Sequence, residues 1–512
     1  MPFLAHLMKT PTLLTKSRYI EGLKCKKMLW LEFNAREMKP KIDEATQHRF
    51  DEGKIVGDLA KKLFPKGVEV NERYPNENDY ETRERLNDGK ILFEAGLLHK
   101  NKKCYARADI LVPVAESEDE WDVYEVKSGT SVKEDHIQDV AFQKWCYENS
   151  EAGIKIRKCF IVHLNNQYIR EGEIEPKELF VISEITDEVE SLIDQVDGKV
   201  KALFEVVALE KCPEMKPGDY CCGNETGIHD EDKFWKEHPE CNILDLHRGG
   251  EKAVELFNSG VLTIKDIPES HLINEKQKIQ HKTEKTGKHH CKVEDLESFV
   301  NKLKYPLYFL DFETYMRAVP PFDGLHPYQQ IPFQFSLHVV KKKGAKPEHF
   351  SFIAEGKEDP RPKLARRLNE LLGDEGDKGS IIAYFMSFEK GVIKALGEFM
   401  PKYAKWADSI AKRMVDLYAP FGNFAYYHPE QKGSASLKAV LPVLTGMKYD
   451  DFEIAEGQQA SLSYLFMING DGEGNMPTKD EAEKIKRNLE EYCGLDTEGM
   501  IMILEKLEGL IE

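Results

Sequence analysis

The sequence predicts two α/β domains joined by a small, mostly helical connector. Three observations predict it. The chain has 512 residues, too many for one ordinary hydrophobic core. In two separate regions, short runs rich in β-branched and aromatic residues alternate with longer stretches of helical spacing. Between those regions, residues 206–300 turn rich in Cys, Gly, His and Lys. The expected domains are 1–205 and 301–512, with the connector at 206–300.

In chain order, "SRYIEGLKCKKMLWLEFNA" has apolar residues three and four apart and predicts helix. "GKIVGDLAKKLFPKG" repeats that spacing before a Pro and Gly stop. "KILFEAGLLHK", "CYARADILVPV" and "WDVYEVKSG" predict three strands, separated by turn and charged residues. "DHIQDVAFQKWCYENS" predicts a helix and "KCFIVHLN" a further strand. In the connector only "GGEKAVELFNSGVLTIKDIP" has a helical piece, of the kind that touches nucleic-acid backbone or simply joins domains. The second domain should carry strands at "YPLYFLDFET", "QFSLHVVKK", "HFSFIA" and "SIIAYF". Its helices are expected at "PRPKLARRLNELLG", "FEKGVIKALGEFM" and "EAEKIKRNLEEYCGLDTEGMIMILEKL".

No apolar run reaches the length of a membrane span, and the start shows no long apolar segment with a cleavage site, so the expected compartment is the cytoplasm. Ten cysteines over this length do not make a disulfide framework. The net charge of −18 disfavours a general nucleic-acid binder. The charge is uneven, however: Lys9 to Lys41 holds nine Lys or Arg against three Glu, and 275–292 and 341–346 are also basic.

In the first domain, "ARADILVPV" ends a strand near Asp109, and "YEVKSG" places Glu125 and Lys127 two apart on the next. Residues i and i+2 of a strand share a face, so both can meet Asp109 on a neighbouring strand. Two carboxylates suit Mg²⁺ or Mn²⁺, and a lysine beside them can orient water or stabilise charge on phosphorus. In the following helix Gln143 and Tyr147 are i, i+4. This set resembles the PD-(D/E)XK nucleases of RecB type. The resemblance implies that Asp109 and Glu125 bind metal, that Lys127 is catalytic, and that Gln143 and Tyr147 support the site. Glu94 in "LFEAG" and His48 in "QHRFDEG" are further candidates near it.

Many RecB-type relatives also hold an iron–sulfur cluster through one early and three late cysteines. Cys25 matches the early position. Of the late group Cys212, Cys221, Cys222 and Cys241, Cys222 fits the first place, but Phe234 directly precedes Trp235 where a cysteine is expected, and Cys241 lies well past it. The pattern is eroded, and the expectation is a cluster remnant whose packing is kept.

In the second domain, "YFLDFETY" ends an apolar strand on Asp311 and Glu313, again on one face. "SIIAYFMSFEKGVIKAL" is a strand, a turn and then Glu389 opening a helix. "EEYCGLDTEGM" sets Tyr492 and Asp496 at i, i+4. This order resembles the tyrosine-bearing DEDD exonucleases of the RNase H-like fold. The resemblance implies that Asp311, Glu313, Glu389 and Asp496 hold two divalent ions and that Tyr492 orients the attacking water. The family's middle acid is usually Asp; here it is the longer Glu389. Lys438 in "GSASLK" is a candidate for the phosphate path, and Asp416 for a cap or ion pair. Over most of 295–508 the chain also looks like a bacterial family of unassigned function, in which such a domain follows a RecB-type one.

The function expected is a Mg²⁺- or Mn²⁺-dependent nuclease acting on DNA, single-stranded or at ends, with RNA as the alternative substrate. The competing expectation is a catalytically impaired nucleic-acid-binding or scaffold protein in a repair or phage-defence assembly. A third is a metal-dependent hydrolase of other substrates.

Overall fold

The computed structural model describes residues 13–512 apart from 102, 116, 118, 215–241, 374–378, 448–452 and 472–473. The chain is mixed α/β and divides into two compact units. The first comprises Met1–Glu237 with Arg317–Gln329, the second His238–Met316 with Gln330–Glu512. The division differs from the expected one in two places. Residues 238–300 of the connector belong to the second unit, and 317–329 belong to the first. No helix among the described residues is long and apolar enough to cross a membrane.

The first unit is built on β1 (Leu14–Thr15), β2 (Val68–Glu69), β3 (Leu92–Leu98), β4 (Cys104–Pro113), β5 (Glu120–Lys127), β6 (Lys155–Leu164) and β7 (Phe180–Glu184). Their order is β2-β3-β4-β5-β6-β7, with β1 on β4. β3-β4-β5 is an antiparallel meander, and β5 then pairs parallel with β6. The strand alternation decides where the chemistry falls. Trp121 and Val123 of β5 enter the larger core with Tyr19, Leu29 and Phe142. Tyr124 and Val126 pack instead against a second core with Val56, Val162 and Ala318. Glu125 and Lys127 therefore follow Trp121 and Val123 onto the face covered by the helix Glu134–Glu148.

Two local features differ from the expected elements. The first long helix is broken at Cys25, whose extended backbone (φ −146°) ends Lys16–Lys24 and starts Lys26–Asn34. Apolar spacing runs through the break because both helices use the same core. The helix Thr186–Val207 and edge strand β7 have no counterpart in the expected list. The strand's alternate residues are mostly polar or half-exposed, which hides it from a pattern search.

The second unit begins with the helices Gly250–Asn258 and Glu275–Thr286, has β8 (His290–Cys291) as its first strand, and holds a five-stranded sheet of β9 (Leu307–Tyr315), β10 (Ile331–Val340), β11 (Glu348–Ile353), β12 (Ile381–Ala383) and β13 (Met414–Asp416). The order is β11-β10-β9-β12-β13, antiparallel on the β11 side and parallel on the β13 side. β8 pairs with β14 (Tyr426–Tyr427), which ties the end of the connector into this unit. Leu310 and Phe312 face a core with Leu364, Ile393, Leu396 and Trp406, supplied by the helices Arg361–Leu372, Ser387–Phe399 and Ala404–Arg413. Asp311 and Glu313 take the opposite face, along which the 33-residue helix Lys479–Ile511 packs.

Candidate functional site

In the first unit the expected constellation assembles. Asp109 leaves β4 and accepts from the Val126 N–H of β5 at 2.7 Å. Glu125 is almost fully buried. Its Oε1 accepts from Lys127 Nζ at 2.8 Å and its Oε2 from Gln143 Nε2 at 2.8 Å. Two residues that the sequence reading missed complete the network. Asp139, one turn before Gln143, accepts from Lys127 Nζ at 2.6 Å and from Gln143 Nε2 at 3.2 Å. Lys16, the first residue of its helix, places Nζ 2.7 and 2.9 Å from the two Glu125 oxygens and 3.9 Å from Asp109 Oδ1. The i, i+4 pair Asp139–Gln143 was available as a signal. Lys16 had none, since it reaches the site only because β1 docks on β4.

The charges there are tightly linked. Burial, reinforced by the Glu125 charge, pushes the Asp109 carboxyl up to about 7 despite both lysines. Burial opposes the ionised form of Glu125, but Lys127 and Lys16 outweigh it and hold its carboxyl well below the usual range. Burial likewise works against the charged forms of Lys16 and Lys127, and the surrounding carboxylates overcome it, so both stay ammonium ions. Oxygen donors from two carboxylates fit a hard divalent cation.

Of the supporting candidates, Glu94 lies on β3 between the paired residues Phe93 and Ala95, which face Ile110 and Ala108 on either side of Asp109, with φ at +56°. Its carboxylate is engaged by Lys61 at 3.0 Å and Arg107 at 3.1 Å, while its charge adds to the upward push on Asp109. His48 faces Glu52 and Arg317, and burial lowers its pKa. Tyr147 is fully buried; its hydroxyl donates to Ala95 O on β3 and accepts from Ala108 N on β4 at 2.8 Å. It therefore fixes the backbone one residue before Asp109 and touches none of the carboxylates. The Tyr147→Phe variant leaves a buried N–H and C=O unpaired, and we expect about 2 kcal/mol less stability in urea unfolding. An unchanged midpoint would refute that role.

Among the cluster candidates, Cys212 is half-buried, and Cys25 is buried and disulfide-bonded, its sulfur accepting from Met28 N at 3.4 Å. Cys221, Cys222 and Cys241 lie outside the described residues.

In the second unit, β9 ends with Asp311 opposite Ser336 and Glu313 opposite Gln334. Glu389 sits in the first turn of Ser387–Phe399, and Tyr492 and Asp496 share one face of the C-terminal helix. Glu313, Glu389, Asp496 and Tyr492 are all buried. Burial raises the Asp311 carboxyl well above its ordinary range, and Asp496, Glu313 and Glu389 raise it further. Glu313 rises for the same first reason, with Asp496 and Glu389 adding and Lys438 opposing. Burial pushes Glu389 up to about 8, with Asp416 and Asp496 adding to the shift.

Cys493 is a residue the sequence reading passed over, although it adjoins Tyr492. Its thiol donates to Asp311 Oδ2 at 3.2 Å, and ligand atoms of Asp311, Glu313 and Cys493 lie within 4.8 Å of one another. Asp416 accepts from the N–H groups of Phe385 and Tyr418, each at 3.0 Å, and so pins the turn that carries Glu389. Lys438 donates to Ala455 O and stands 5.9 Å from the Tyr492 ring centre. The donor set fits divalent metal on an independent observation: Glu389 Oε2 is buried with no hydrogen-bond partner among the described residues. A buried carboxylate oxygen without a partner is costly unless a proton or cation satisfies it.

A family described as "Domain of unknown function (DUF2779)" matches residues 308–436, which begin in β9 and include Asp311, Glu313, Glu389 and Asp416. No curated protein matches the chain.

Proposed function

We propose that the protein is a divalent-metal-dependent nuclease that hydrolyses phosphodiester bonds of DNA. In this reading the first unit is a RecB-type PD-(D/E)XK domain and the second an RNase H-like exonuclease domain of the DEDD tyrosine class. The observation that carries it is the grouping of Asp311 and Glu313 at ligand distance, with Glu389 and Asp496 near enough to raise their pKa values, from a strand end, a helix start and a C-terminal helix. Carboxylates that raise one another's pKa have no packing reason to converge, and perturbed groups of this kind mark functional sites.

When bound, divalent ions would supply a Lewis acid and a nucleophile at neutral pH. Asp311, Glu313, Glu389 and Asp496 would hold them in the second unit, Asp109 and Glu125 in the first. The chain's own groups then have defined tasks. Burial and the neighbouring acids raise the Tyr492 phenol, so it keeps its proton and serves as a hydrogen-bond donor to water or phosphate. Lys127, kept charged by Glu125 and Asp139, offers a fixed cation to developing phosphate charge. Gln143 ties Glu125 to Asp139 and holds the carboxylate's orientation.

A second reading, a nucleic-acid-binding protein impaired in its first site, is favoured by Lys16. Its ammonium already bridges the oxygens that a cation would take. Labelled single- and double-stranded DNA and RNA, incubated with Mg²⁺ or Mn²⁺, separate the readings. Wild type is expected to cut DNA, Glu125→Ala and Asp311→Ala each to lose part of that activity, and the double variant to lose all of it. Cutting that survives only Glu125→Ala assigns the activity to the second unit alone. Binding without cutting by wild type would sink the nuclease reading.

A further inference from the structure

Beside Lys127, within the first unit, lies a cavity of about 400 Å³. The proposed reaction uses only the lysine at its edge. The cavity is lined by the turn after β5, Ser128 to Ser131, by Lys133 and His136 at the start of the next helix, and by Tyr328 from the 317–329 segment. Three features set it apart from an ordinary surface dent.

Lys127 is committed to Glu125 and Asp139, but four other donors are not. The hydroxyls of Ser128, Thr130 and Ser131 make no hydrogen bond to a described residue, and Lys133 Nζ makes no ion pair with one. His136 accepts the Lys133 N–H at Nδ1 (3.2 Å), so its ring proton sits on Nε2, which faces Asp135 Oδ1 at 3.7 Å. The three hydroxyls and the Lys133 ammonium can all donate to a ligand, and no carboxylate appears in the lining. This composition is unlike the rest of a chain with net charge −18.

Gly129 has no structural reason to be glycine. It has no positive φ, and the nearest atom to an added Cβ is Ser131 O at 3.9 Å. A glycine that neither the backbone nor the packing requires leaves room for a ligand to approach the main chain.

Tyr328 is held in place at some cost. Its φ is +59°, rare for a residue with a side chain, and it is fixed by its N–H to Arg317 O (2.8 Å) and its hydroxyl to Ser128 O (2.9 Å). The segment that carries it is anchored by Glu52, which accepts from Arg317 Nε and Ala318 N, both at 2.6 Å. An aromatic ring pinned at the wall of a cationic cavity is a stacking surface for a base.

We propose that this cavity is a strand subsite: it binds one nucleotide unit of single-stranded DNA beside the bond cut at the first site, with the phosphate on the Ser128–Ser131 donors, Lys133 and His136, and the base against Tyr328. The proposal rests on the nuclease reading of Asp109, Glu125 and Lys127 and adds the substrate form that this site takes. Its volume is at the lower end for ligand pockets, which suits a single flipped-out or unpaired nucleotide and not a duplex.

The test measures binding of a labelled single-stranded 12-mer to the full chain, with Ca²⁺ in place of Mg²⁺ so that the strand stays intact. Lys133→Glu and Gly129→Val should each weaken binding about ten-fold with unchanged melting temperature, and Tyr328→Leu by a similar factor. Lys133→Ala should lower the slope of log affinity against log salt by about 0.7. Cleavage of single strands should fall in parallel, while Mn²⁺ affinity stays as in wild type. Unchanged affinity and salt slope in variants of a wild type that does cut would overturn the subsite and leave the nuclease reading standing. Inorganic phosphate competing as well as a mononucleotide would reduce it to an anion site and refute the strand assignment. A wild type that neither binds nor cuts DNA would overturn both.

Discussion

Stripped of divalent ions, the protein is expected to lose stability as the pH rises from about 5 to about 8, and to regain it when Mn²⁺ is added. The reason is the acid cluster of the second unit. Burial, with Asp416 and Asp496, holds the Glu389 carboxyl up to about 8. Burial and their neighbours hold Asp311 and Glu313 well above the ordinary range as well. In the unfolded chain these groups release their protons near pH 4 to 5. Between there and the folded value the folded state binds more protons, so stability is full below the unfolded pKa and falls as pH rises through the folded one. Glu389 alone accounts for a loss on the order of 4 kcal/mol, equivalent to about 10 °C in the melting temperature of a unit this size. Glu125 works in the opposite sense. Its folded pKa is depressed once Lys127 and Lys16 outweigh burial, so its contribution is present above the usual carboxylate range and is lost in acid. A metal must displace the cluster's protons, so Mn²⁺ should stabilise more at pH 8 than at pH 5 and release protons as it binds. Thermal melting in EDTA at pH 5, 6, 7 and 8, repeated with Mn²⁺, reads all of this. A metal-free protein that is as stable at pH 8 as at pH 5 would contradict the cluster's electrostatics. Asp311→Asn gives a further check: it should flatten the pH dependence and remove the second unit's share of the Mn²⁺ effect.

The parts of the sites that could be read from the sequence are those encoded by short-range periodicity. Asp311 and Glu313 share a face because a strand repeats every two residues, and the same rule fixes Glu125 and Lys127. Gln143 and Tyr492 with Asp496 follow from the helical repeat. Lys16, Cys493 and the segment around Tyr328 reach their places through tertiary contacts, and no spacing announces such contacts. Lys16 depends on two residues of β1 pairing with Cys104 and Tyr105. β13 is invisible to pattern reading because three residues are too few to show alternation, although its Asp416 organises the Glu389 turn. The break at Cys25 was missed because the apolar spacing continues across it.

Removing the Lys16 ammonium is expected to tighten metal binding at the first site by about 100-fold. Lys16 Nζ lies within hydrogen-bond distance of both Glu125 oxygens and 3.9 Å from Asp109. A divalent ion bound by those carboxylates would sit about 2.1 Å from their oxygens, so ion and ammonium compete for the same space and the same charge. Two unit charges about 4 Å apart repel by roughly 4 kcal/mol at an effective dielectric of 20, and a divalent ion feels twice that. Part is relieved when the lysine swings toward solvent, and a residual of about 3 kcal/mol gives the predicted factor. Lys16→Met keeps a flexible aliphatic side chain and deletes the charge. Without it the Asp109 carboxyl, already raised to about 7, rises further, so the gain should be largest above pH 8 and shrink in acid. Calorimetric titration with Mn²⁺ at pH 8.5, in an Asp311→Ala background that silences the second site, measures the effect directly. Two results distinguish the roles open to Lys16. Tighter metal binding with faster cutting identifies it as a stand-in cation that restrains the first site until an ion displaces it. Tighter metal binding with cutting lost identifies it as a second phosphate-facing cation that the reaction needs alongside Lys127. Weaker metal binding would contradict both, because it would mean that Lys16 organises the carboxylates for the ion and does not compete with it.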